Sequence, residues 1–305
     1  MGPRFLEIEL TGRCSMGCKH CYGDFPFTKD LPAAKVKDVI DQSHEDFDCL
    51  VFSGGEPFLH PDLIELVHDA DRKGFSVHIT TSGFGVTKKK IKSLSHDAVL
   101  VFGIDGIGEV HDRYREKPGA YAHLLEIMAY CQDRPKEIIT TLWRGSLGQL
   151  EEIISMAEKC GAALHLNAVI PMGRARNHPE ILLTREGNES VYQFLKERKK
   201  KSAHVFTDLY KITERDMRKG IDLFCKKRYA IDPQGNVHPC EFLRTISFGN
   251  AFNQDFSVII KEAKETPFIH AREQGFKGQV RLGRANPFDY HTEICHVLAD
   301  KLKDG

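Results

Sequence analysis

The sequence predicts an α/β fold in which a partial, TIM-like barrel is followed by a small α+β domain. Three observations lead to this prediction. Strand-like and helix-like segments alternate through the first two thirds of the 305 residues, the strand-like segments are apolar, and the alternation stops near residue 205. Because a sheet buried on both faces needs apolar strands, we place a partial (β/α)6 barrel at residues 1–205 and a second domain at residues 206–305.

The barrel prediction rests on six strand–helix units of regular length. The predicted strands are residues 5–10, 49–55, 76–83, 98–106, 137–143 and 164–171. The predicted helices that follow them are residues 32–46, 62–73, 88–95, 120–133, 147–159 and 185–200. Such alternation favours a parallel sheet with right-handed crossovers, and six units are fewer than the eight that close a barrel. We therefore expect an open barrel with its active site at the carboxyl ends of the strands.

The pattern after residue 205 is different. The segment RYAIDPQGNVHPC, residues 228–240, is typical of a hairpin, because the Pro and Gly of DPQGN suit a tight turn. A short helix is predicted at residues 257–265, and the tail from Gly275 has little periodicity. These features indicate a small α+β domain at the C-terminus.

Composition excludes several classes of protein. Lys and Arg together number 43, as do Asp and Glu, so the formal net charge is zero and no basic field favours nucleic acid as a partner. No run approaches 18 apolar residues and no signal-peptide core is present, so we expect no membrane span and a cytoplasmic location. In such a setting, nine cysteines favour metal binding or catalysis over disulfides.

Three cysteines follow the first predicted strand in the segment CSMGCKHC: Cys14, Cys18 and Cys21. Structural zinc usually takes four ligands, commonly as two CxxC pairs, and no nearby fourth cysteine completes such a set. Three thiolates on one short loop can instead hold three corners of an iron–sulfur cubane, which leaves the fourth iron without a protein ligand. A zinc site and three unrelated cysteines stay open as alternatives at this point.

Two motifs carry a family resemblance. CSMGCKHC resembles the CxxxCxxC signature of the radical S-adenosylmethionine (SAM) enzymes, and FSGGEPFL at residues 52–59 resembles their glycine-glycine-glutamate motif at the end of the second strand. The resemblance implies a [4Fe-4S] cluster on the three cysteines. It also implies that SAM fills the open iron site through its amino nitrogen and carboxylate oxygen.

The resemblance suggests roles for residues around this site. Glu56 is expected to accept a hydrogen bond from the SAM ammonium, with a helix-start carboxylate as the alternative. Gly54 and Gly55 would let the backbone approach the methionine part of SAM. Tyr22 would pack against adenine or belong to the core. Ser82 lies in SGFG, which resembles a small-residue segment near SAM in the family.

Two further segments resemble the subgroup with an added C-terminal cluster domain. In residues 103–121 the subgroup often has a serine near the ribose where this chain has Gly103, so that contact is lost or replaced. Asp105 and Arg115 of the same segment could orient substrate or SAM, or could structure the loop. In PMGRA, residues 171–175, Arg174 is a candidate for the SAM carboxylate or for structural pairing.

A second set of cysteines lies in the C-terminal part. Cys225 and Cys240, with Gly235 between them, have the spacing that opens the SPASM and Twitch auxiliary-cluster domains, and Cys295 is the third cysteine of the set. A full SPASM domain has seven cysteines, so the resemblance implies a reduced, Twitch-like domain with a second [4Fe-4S] cluster. Its fourth iron is either open or held by a side chain near Cys295: His291, Glu293 or His296. The alternatives are a zinc site, unrelated cysteines, or a thiol that donates a hydrogen atom.

The resemblance implies an oxidoreductase or maturase. Reductive cleavage of SAM would give a 5′-deoxyadenosyl radical that takes a hydrogen atom from a substrate, with the auxiliary cluster assisting. A peptide or protein is the leading substrate, and a small-molecule step in cofactor or tetrapyrrole biosynthesis is the alternative. A non-catalytic iron–sulfur redox protein is the second alternative. We expect an external reductant such as flavodoxin or ferredoxin, and no fused leader-binding or cobalamin domain.

Overall fold

The computed structural model describes residues 3–23, 29–198, 205–207 and 228–273. Within these ranges ten strands form one sheet in the order β10-β9-β8-β1-β2-β3-β4-β5-β6-β7. The strands are β1 (Phe5–Thr11), β2 (Cys49–Gly54), β3 (Ser76–Thr81), β4 (Val99–Gly103), β5 (Lys136–Leu142), β6 (Ala163–Ala168), β7 (Val205–Thr207), β8 (Arg228–Ile231), β9 (Asn236–His238) and β10 (Gly249–Asn250).

Helices follow the strands in the predicted alternation. The α-helices in the described ranges are α1 (Ala33–Asp41), α2 (Leu63–Arg72), α3 (Lys88–Ser93), α4 (Glu109–Arg115), α5 (Ala120–Tyr130), α6 (Leu150–Lys159), α7 (Arg185–Arg198), α8 (Phe256–Lys264) and α9 (Pro267–Glu273). Short 3-10 helices occur at Pro57–Leu59, Arg144–Gln149, Gly173–Asn177 and Pro179–Ile181. No helix in the described part of the chain is long and apolar enough to cross a membrane.

The strands from β8 through β7 pair in parallel, and the prediction of an α/β fold with an open, parallel sheet is confirmed. Six strand–helix units are present, and most element bounds lie within three residues of their predicted positions. Helix α4 was not predicted, because its seven residues, EVHDRYR, are too few and too polar to show a helical apolar period.

The two faces of β1 show why the sheet positions a site. Leu6, Ile8 and Leu10 are buried in the main apolar core together with residues of α1 and α2. Glu7 and Glu9 alternate with them and are also buried, at 5% and 0% exposure. Successive side chains of a strand point to opposite faces, so the carboxylates lie on the face away from the helices. We call this side of the sheet the inner face of the barrel.

The C-terminal hairpin continues the same sheet. β8 pairs in parallel with β1, from Phe5 opposite Arg228 to Ile8 opposite Ile231, and β9 pairs with β8 in the antiparallel direction. The turn is closed by the Gly235 N–H, which donates to the Asp232 carbonyl at 2.9 Å. The predicted hairpin is therefore present, and the domain boundary after residue 205 stays a prediction.

Candidate active site

The cysteine loop, residues 12–23, leaves the carboxyl end of β1 and is held by backbone hydrogen bonds from two sides. The N–H groups of Gly17 and Lys19 donate to the carbonyls of Arg115 and Tyr114 at 3.2 and 3.1 Å. On the other side the Arg174 N–H donates to the Cys21 carbonyl at 3.0 Å. The end of α4 and the segment after β6 therefore fix the path of the loop.

The three thiols of this loop are close enough to influence one another. Cys14 is exposed, Cys18 is buried and Cys21 is half-buried. Burial raises the pKa of the Cys14 thiol, and it raises the pKa of Cys18 to about 12, with the neighbouring sulfurs adding to the increase in both cases. No three His, Cys, Asp or Glu side chains in the described residues converge on one point as the ligands of a single metal ion do. Three thiols on one loop that is fixed by backbone hydrogen bonds fit three corners of a cubane, each of which takes one thiolate.

Glu56 lies directly after β2 and is completely buried. One carboxylate oxygen accepts from the Thr81 hydroxyl at 2.8 Å and from the Phe58 N–H at 3.3 Å. The other accepts from the Ser82 N–H and hydroxyl at 2.9 and 2.6 Å. Burial raises the pKa of Glu56 above its usual value, and these hydrogen bonds offset only part of the increase. Glu56 therefore caps the 3-10 helix at 57–59 and joins β2 to the end of β3, and its contact with SAM stays a prediction.

Gly54 and Gly55 are required by the backbone of the cysteine loop itself. A Cβ atom on Gly54 would lie 2.4 Å from the Thr11 carbonyl oxygen, and one on Gly55 would lie 2.2 Å from that of Arg13. Gly54 also has φ +122°, which favours glycine. This close approach lets the Gly55 N–H donate to the Thr11 carbonyl at 2.7 Å. This hydrogen bond holds the carboxyl end of β2 against the loop that carries the cysteines.

Asp105 and Arg115 form a buried ion pair beside the cysteine loop. Arg115 donates from Nε and Nη2 to the same Asp105 oxygen at 2.8 and 2.7 Å, and the other oxygen accepts from the Thr141 N–H at 2.8 Å. Asp105 is 0% and Arg115 9% exposed. Burial raises the pKa of Asp105, but Arg115 and the other neighbours lower it by more, so its pKa is below the usual value. The pair joins the ends of β4 and β5 to α4.

Gly103 explains how Arg115 fits there. A Cβ atom on Gly103 would lie 2.3 Å from Nη2 of Arg115, so the guanidinium fills the space that a side chain at position 103 would need. The arginine of α4 thus occupies the space of the serine side chain that the family resemblance suggests for this position. A role of Gly103, Asp105 or Arg115 toward SAM stays a prediction.

Tyr22 points into a buried network of charges that the sequence did not reveal. Its hydroxyl lies 3.3 Å from Glu7 and 3.2 Å from Glu9 on the inner face, and its ring packs edge-on against Phe242 at 5.2 Å. Arg244 donates to the same Glu9 oxygen. Burial raises the pKa of Glu9 to about 8, because the lowering effect of Arg244 is smaller. Packing of Tyr22 against adenine stays a prediction.

The network continues to the C-terminal hairpin. Arg228 on β8 lies 2.8 Å from Glu241 and 3.7 Å from Glu7. Burial raises the pKa of Glu241, with Arg228 opposing it. Ser53 on β2 donates to Glu7 at 2.6 Å. Sequence reasoning missed this network because its members come from β1, β2, β8 and the loop after β9, and only their alternation with apolar residues on β1 hinted at it.

Farther along the inner face, β3, β5 and β6 contribute a second polar group. Glu137 lies 3.3 Å from Nε2 of His165 and 3.8 Å from Nδ1 of His78. Burial raises the pKa of Glu137, while the hydrogen bond and charge of His165 and then the charge of His78 lower it by more. These residues are half-buried, so polar side chains occur on the inner face at β3, β5 and β6 as well as at β1.

His20, inside the cysteine motif, begins a stack of three rings. It lies parallel to Tyr114 at 4.5 Å between ring centroids, and Tyr114 lies parallel to Trp143 at 4.5 Å. The Trp143 ring N–H donates to the Asp105 carbonyl at 2.8 Å. Burial lowers the pKa of His20 to about 4, so the ring is neutral near pH 7. No local sequence pattern predicts this stack, because its three residues are far apart along the chain.

The second set of cysteines is described only in part. Cys240 follows β9 and is buried at 8% exposure. Cys225 and Cys295 lie outside the described residues, as do His291, Glu293 and His296. Their predicted role as ligands of an auxiliary cluster therefore stays a prediction. Around the first set, the structure brings the predicted residues to one edge of the sheet: Cys14, Cys18, Cys21, Glu56, Ser82, Gly103, Asp105, Arg115 and Arg174.

Two sequence profiles of known families match this chain. That of the radical SAM superfamily matches residues 8–159, and that of the SPASM iron–sulfur cluster-binding domain matches residues 225–281. The chain therefore belongs to the radical SAM superfamily, in the group with a SPASM or Twitch-like C-terminal domain. Membership implies a [4Fe-4S] cluster with SAM, and the second domain implies an auxiliary iron–sulfur cluster.

Two relatives are similar in sequence to this chain over most of its length. The AdoMet-dependent heme synthase of Nitratidesulfovibrio vulgaris is 25% identical over 96% of this chain and 89% of its own length. The PqqA peptide cyclase of Rhizobium meliloti is 26% identical over 86% of this chain and 74% of its own length. These relatives are named as a synthase and a cyclase, and this chain is an enzyme. A non-catalytic redox protein is thereby set aside.

The solved structure of Streptococcus suis SuiB bound to precursor peptide SuiA has the same fold, with a TM-score of 0.68 at 16% identity. The likeness covers 84% of this chain, which spans less than two thirds of SuiB, 64%. At this identity the likeness shows the fold alone, and it agrees with the open parallel sheet described above.

Proposed function

We propose that this enzyme takes a hydrogen atom from a peptide or protein substrate bound at the inner face of the barrel. The cluster and SAM, when bound, supply reductive cleavage of SAM to methionine and a 5′-deoxyadenosyl radical. The chain would contribute a binding site, orientation and shielding from water. Cys14, Cys18 and Cys21 would hold the cluster, and Glu56 would orient the SAM ammonium.

Several buried contacts support these roles of the cysteine loop and of Glu56. The Asp105–Arg115 pair and the Gly17 and Lys19 N–H groups hold the cysteine loop against α4. A loop fixed in this way keeps its three thiols in place before any cluster binds. The buried position of Glu56 gives a carboxylate whose hydrogen bond to an ammonium would be strong, because little water competes there.

The observation that carries the choice of substrate is that the arginines of the inner face are already paired. Arg228 contacts both Glu7 and Glu241, and Arg244 contacts Glu9. A tetrapyrrole with several carboxylates would need cationic groups to pair with it, since a desolvated carboxylate without a partner is costly. A neutral or basic peptide segment meets no such penalty.

The chemistry is tested by anaerobic reconstitution with iron and sulfide, followed by incubation with SAM and dithionite. We expect 5′-deoxyadenosine to accumulate with the native sequence. Cys18→Ala should abolish the product, whereas Cys160→Ala, which changes a half-buried cysteine at the end of α6, should retain it. Product formation by Cys18→Ala at the native rate would contradict the assignment of the cysteine loop.

The substrate class is tested by comparing two kinds of candidate substrate in parallel reactions. Peptides encoded by short reading frames beside the gene are compared with iron-coproporphyrin III, and both 5′-deoxyadenosine and the mass of each compound are measured. We expect a mass change in a peptide. A mass change in the porphyrin alone would overturn the peptide proposal.

A tetrapyrrole substrate is the second candidate, because one specific observation favours it. The match to the named heme synthase extends over 96% of this chain and 89% of that protein, which is more complete than the match to the peptide cyclase. If this candidate is correct, addition of the chain should shift the visible absorption of iron-coproporphyrin III and the porphyrin should stimulate 5′-deoxyadenosine formation.

The electron source and location are part of the same proposal. We infer an external one-electron reductant such as flavodoxin or ferredoxin, and a cytoplasmic location. Reduced flavodoxin in place of dithionite should support 5′-deoxyadenosine formation. Failure of both flavodoxin and ferredoxin, with dithionite active, would contradict this inference.

A further inference from the structure

Arg272 on α9 is a buried cation with an unusual set of contacts. It is 1% exposed, and its Nη1 donates to the carbonyls of Arg228 and Pro239 at 3.1 and 2.7 Å. The face of its guanidinium lies over the Tyr229 ring, 5.1 Å from the centroid. The guanidinium is thus fixed in position by backbone carbonyls of β8 and of the residue that follows β9.

Two nitrogens of this guanidinium have no partner among the residues that the structure describes. Its Nε and Nη2 are buried and make no hydrogen bond, and no carboxylate lies within ion-pair distance of Arg272 in the part of the chain that the structure describes. The neighbouring Arg228 differs, since it contacts both Glu241 and Glu7. An arginine stays charged under all ordinary conditions, and a buried charge without a counterion is strongly unfavourable. The arrangement therefore indicates an anion that binds beside Arg272.

The chain neighbours of this backbone contact indicate which anion is available. Pro239, whose carbonyl accepts from Nη1, immediately precedes Cys240 in the chain. Cys240 is buried and lies in the region that matches the iron–sulfur domain, which also includes α9. The sulfurs of an iron–sulfur cluster are anionic hydrogen-bond acceptors, and donors to them raise the reduction potential. The unpartnered donors thus fit the auxiliary cluster.

We propose that Arg272 binds the auxiliary iron–sulfur cluster held by Cys240, donating hydrogen bonds from Nε and Nη2 to its sulfurs. The positive charge stabilises the reduced cluster over the oxidised one. This role is independent of the substrate and goes beyond the proposed function. Arg272 is a positioning and potential-setting residue, since its own atoms do not contact the reacting carbon.

The test isolates the auxiliary cluster in the full-length chain. Cys14, Cys18 and Cys21 are changed to alanine, the protein is reconstituted anaerobically, and Arg272→Met and Arg272→Lys are compared with the unchanged arginine. Iron is counted, and the reduced fraction is followed by electron paramagnetic resonance during a redox titration. Arg72→Met on α2, where the arginine side chain is 68% exposed, is the matched control.

We expect Arg272→Met to lower the reduced-to-oxidised ratio at the native midpoint at least tenfold, a shift of about 59 mV for a one-electron couple. Arg272→Lys keeps the charge but loses the two-pronged geometry, so its shift should be smaller. Arg72→Met should have no effect. Loss of iron from a folded Arg272→Met, judged by circular dichroism, would also support the proposal.

Several outcomes would overturn it. One is an unchanged potential and iron content in Arg272→Met, which would point instead to a substrate carboxylate. If Arg272→Met does not fold, Arg272→Lys decides, and a potential equal to that of the native arginine refutes the proposal. Absence of iron in the triple-cysteine background also refutes it, whereas the hydrogen-abstraction proposal depends on 5′-deoxyadenosine formation and would be unaffected.

Discussion

A side chain at position 103 should displace Arg115 from its buried partner. Gly103 is the last residue of β4, and a Cβ atom built there lies 2.3 Å from Nη2 and 3.1 Å from Cζ of Arg115. Because non-bonded heavy atoms do not pack at such distances, either the guanidinium or the strand must move. The change to test is Gly103→Ser, which introduces the residue that the family resemblance suggests.

The expected cost combines two effects. Forcing extra atoms into a packed interior costs about 1–3 kcal/mol. The Arg115–Asp105 contact of 2.7 Å is buried on both sides, and breaking a buried ion pair costs about 3–5 kcal/mol. Because the guanidinium can retain part of the contact after a small shift, we expect the free energy of unfolding to fall by about 3 kcal/mol.

Urea denaturation of the metal-free chain, followed by circular dichroism, measures this change. Gly148→Ala is the matched control, because no atom lies within 4 Å of a Cβ built at that position, and it should change stability by less than about 0.5 kcal/mol. In an Arg115→Leu background, Gly103→Ser should cost less than about 1 kcal/mol, because its neighbour is gone. An equal cost in both backgrounds, or a cost no larger than that of Gly148→Ala, would refute this reasoning.

Three further predictions concern the same region. Glu56→Gln should weaken SAM binding to the reconstituted enzyme at least tenfold in equilibrium dialysis, since a hydrogen bond to a charged group is lost; an unchanged affinity would contradict the role of Glu56. Glu9 has a pKa raised to about 8, so its contribution to stability is fully present below its unfolded pKa and is lost as pH rises through 8. Glu9→Gln should therefore reduce the fall in melting temperature between pH 5 and pH 8, and an unaltered pH profile would count against a protonated Glu9. Assembly of the cluster should quench the fluorescence of Trp143, the sole tryptophan, through the stack on His20 and Tyr114, and the triple-alanine variant of the cysteine loop should show no quenching.

The fold and the centre of the site could be predicted from the sequence because their signals are local. Each strand–helix unit has its own periodicity, and the three cysteines lie within eight residues. The motif at residues 52–59 is equally compact. These patterns can be recognised without knowing which distant segments of the chain are in contact.

The remaining features depend on contacts between distant segments. The Glu9–Arg244 pair joins residues 235 positions apart, and the stack joins His20 to Trp143 through Tyr114. Glu9, between Ile8 and Leu10 on β1, has the alternation typical of a solvent-facing residue, but in the structure it is buried, and β8 pairs beside β1. Tyr22 illustrates the same limit, since the sequence could not show that its hydroxyl meets two carboxylates.

The pairing of β8 with β1 limits how this enzyme can open. One strand, β1, leads into the cysteine loop, and its neighbour β8 leads through the hairpin to Cys240. Four residue pairs between these strands, together with the contacts of Arg228 and Arg244 to β1, would have to separate before the two parts could swing apart. The spacing between the two cysteine-bearing segments is thus set by a continuous sheet rather than by a hinge. The sheet therefore acts as a fixed frame beneath the loops that carry the cysteines.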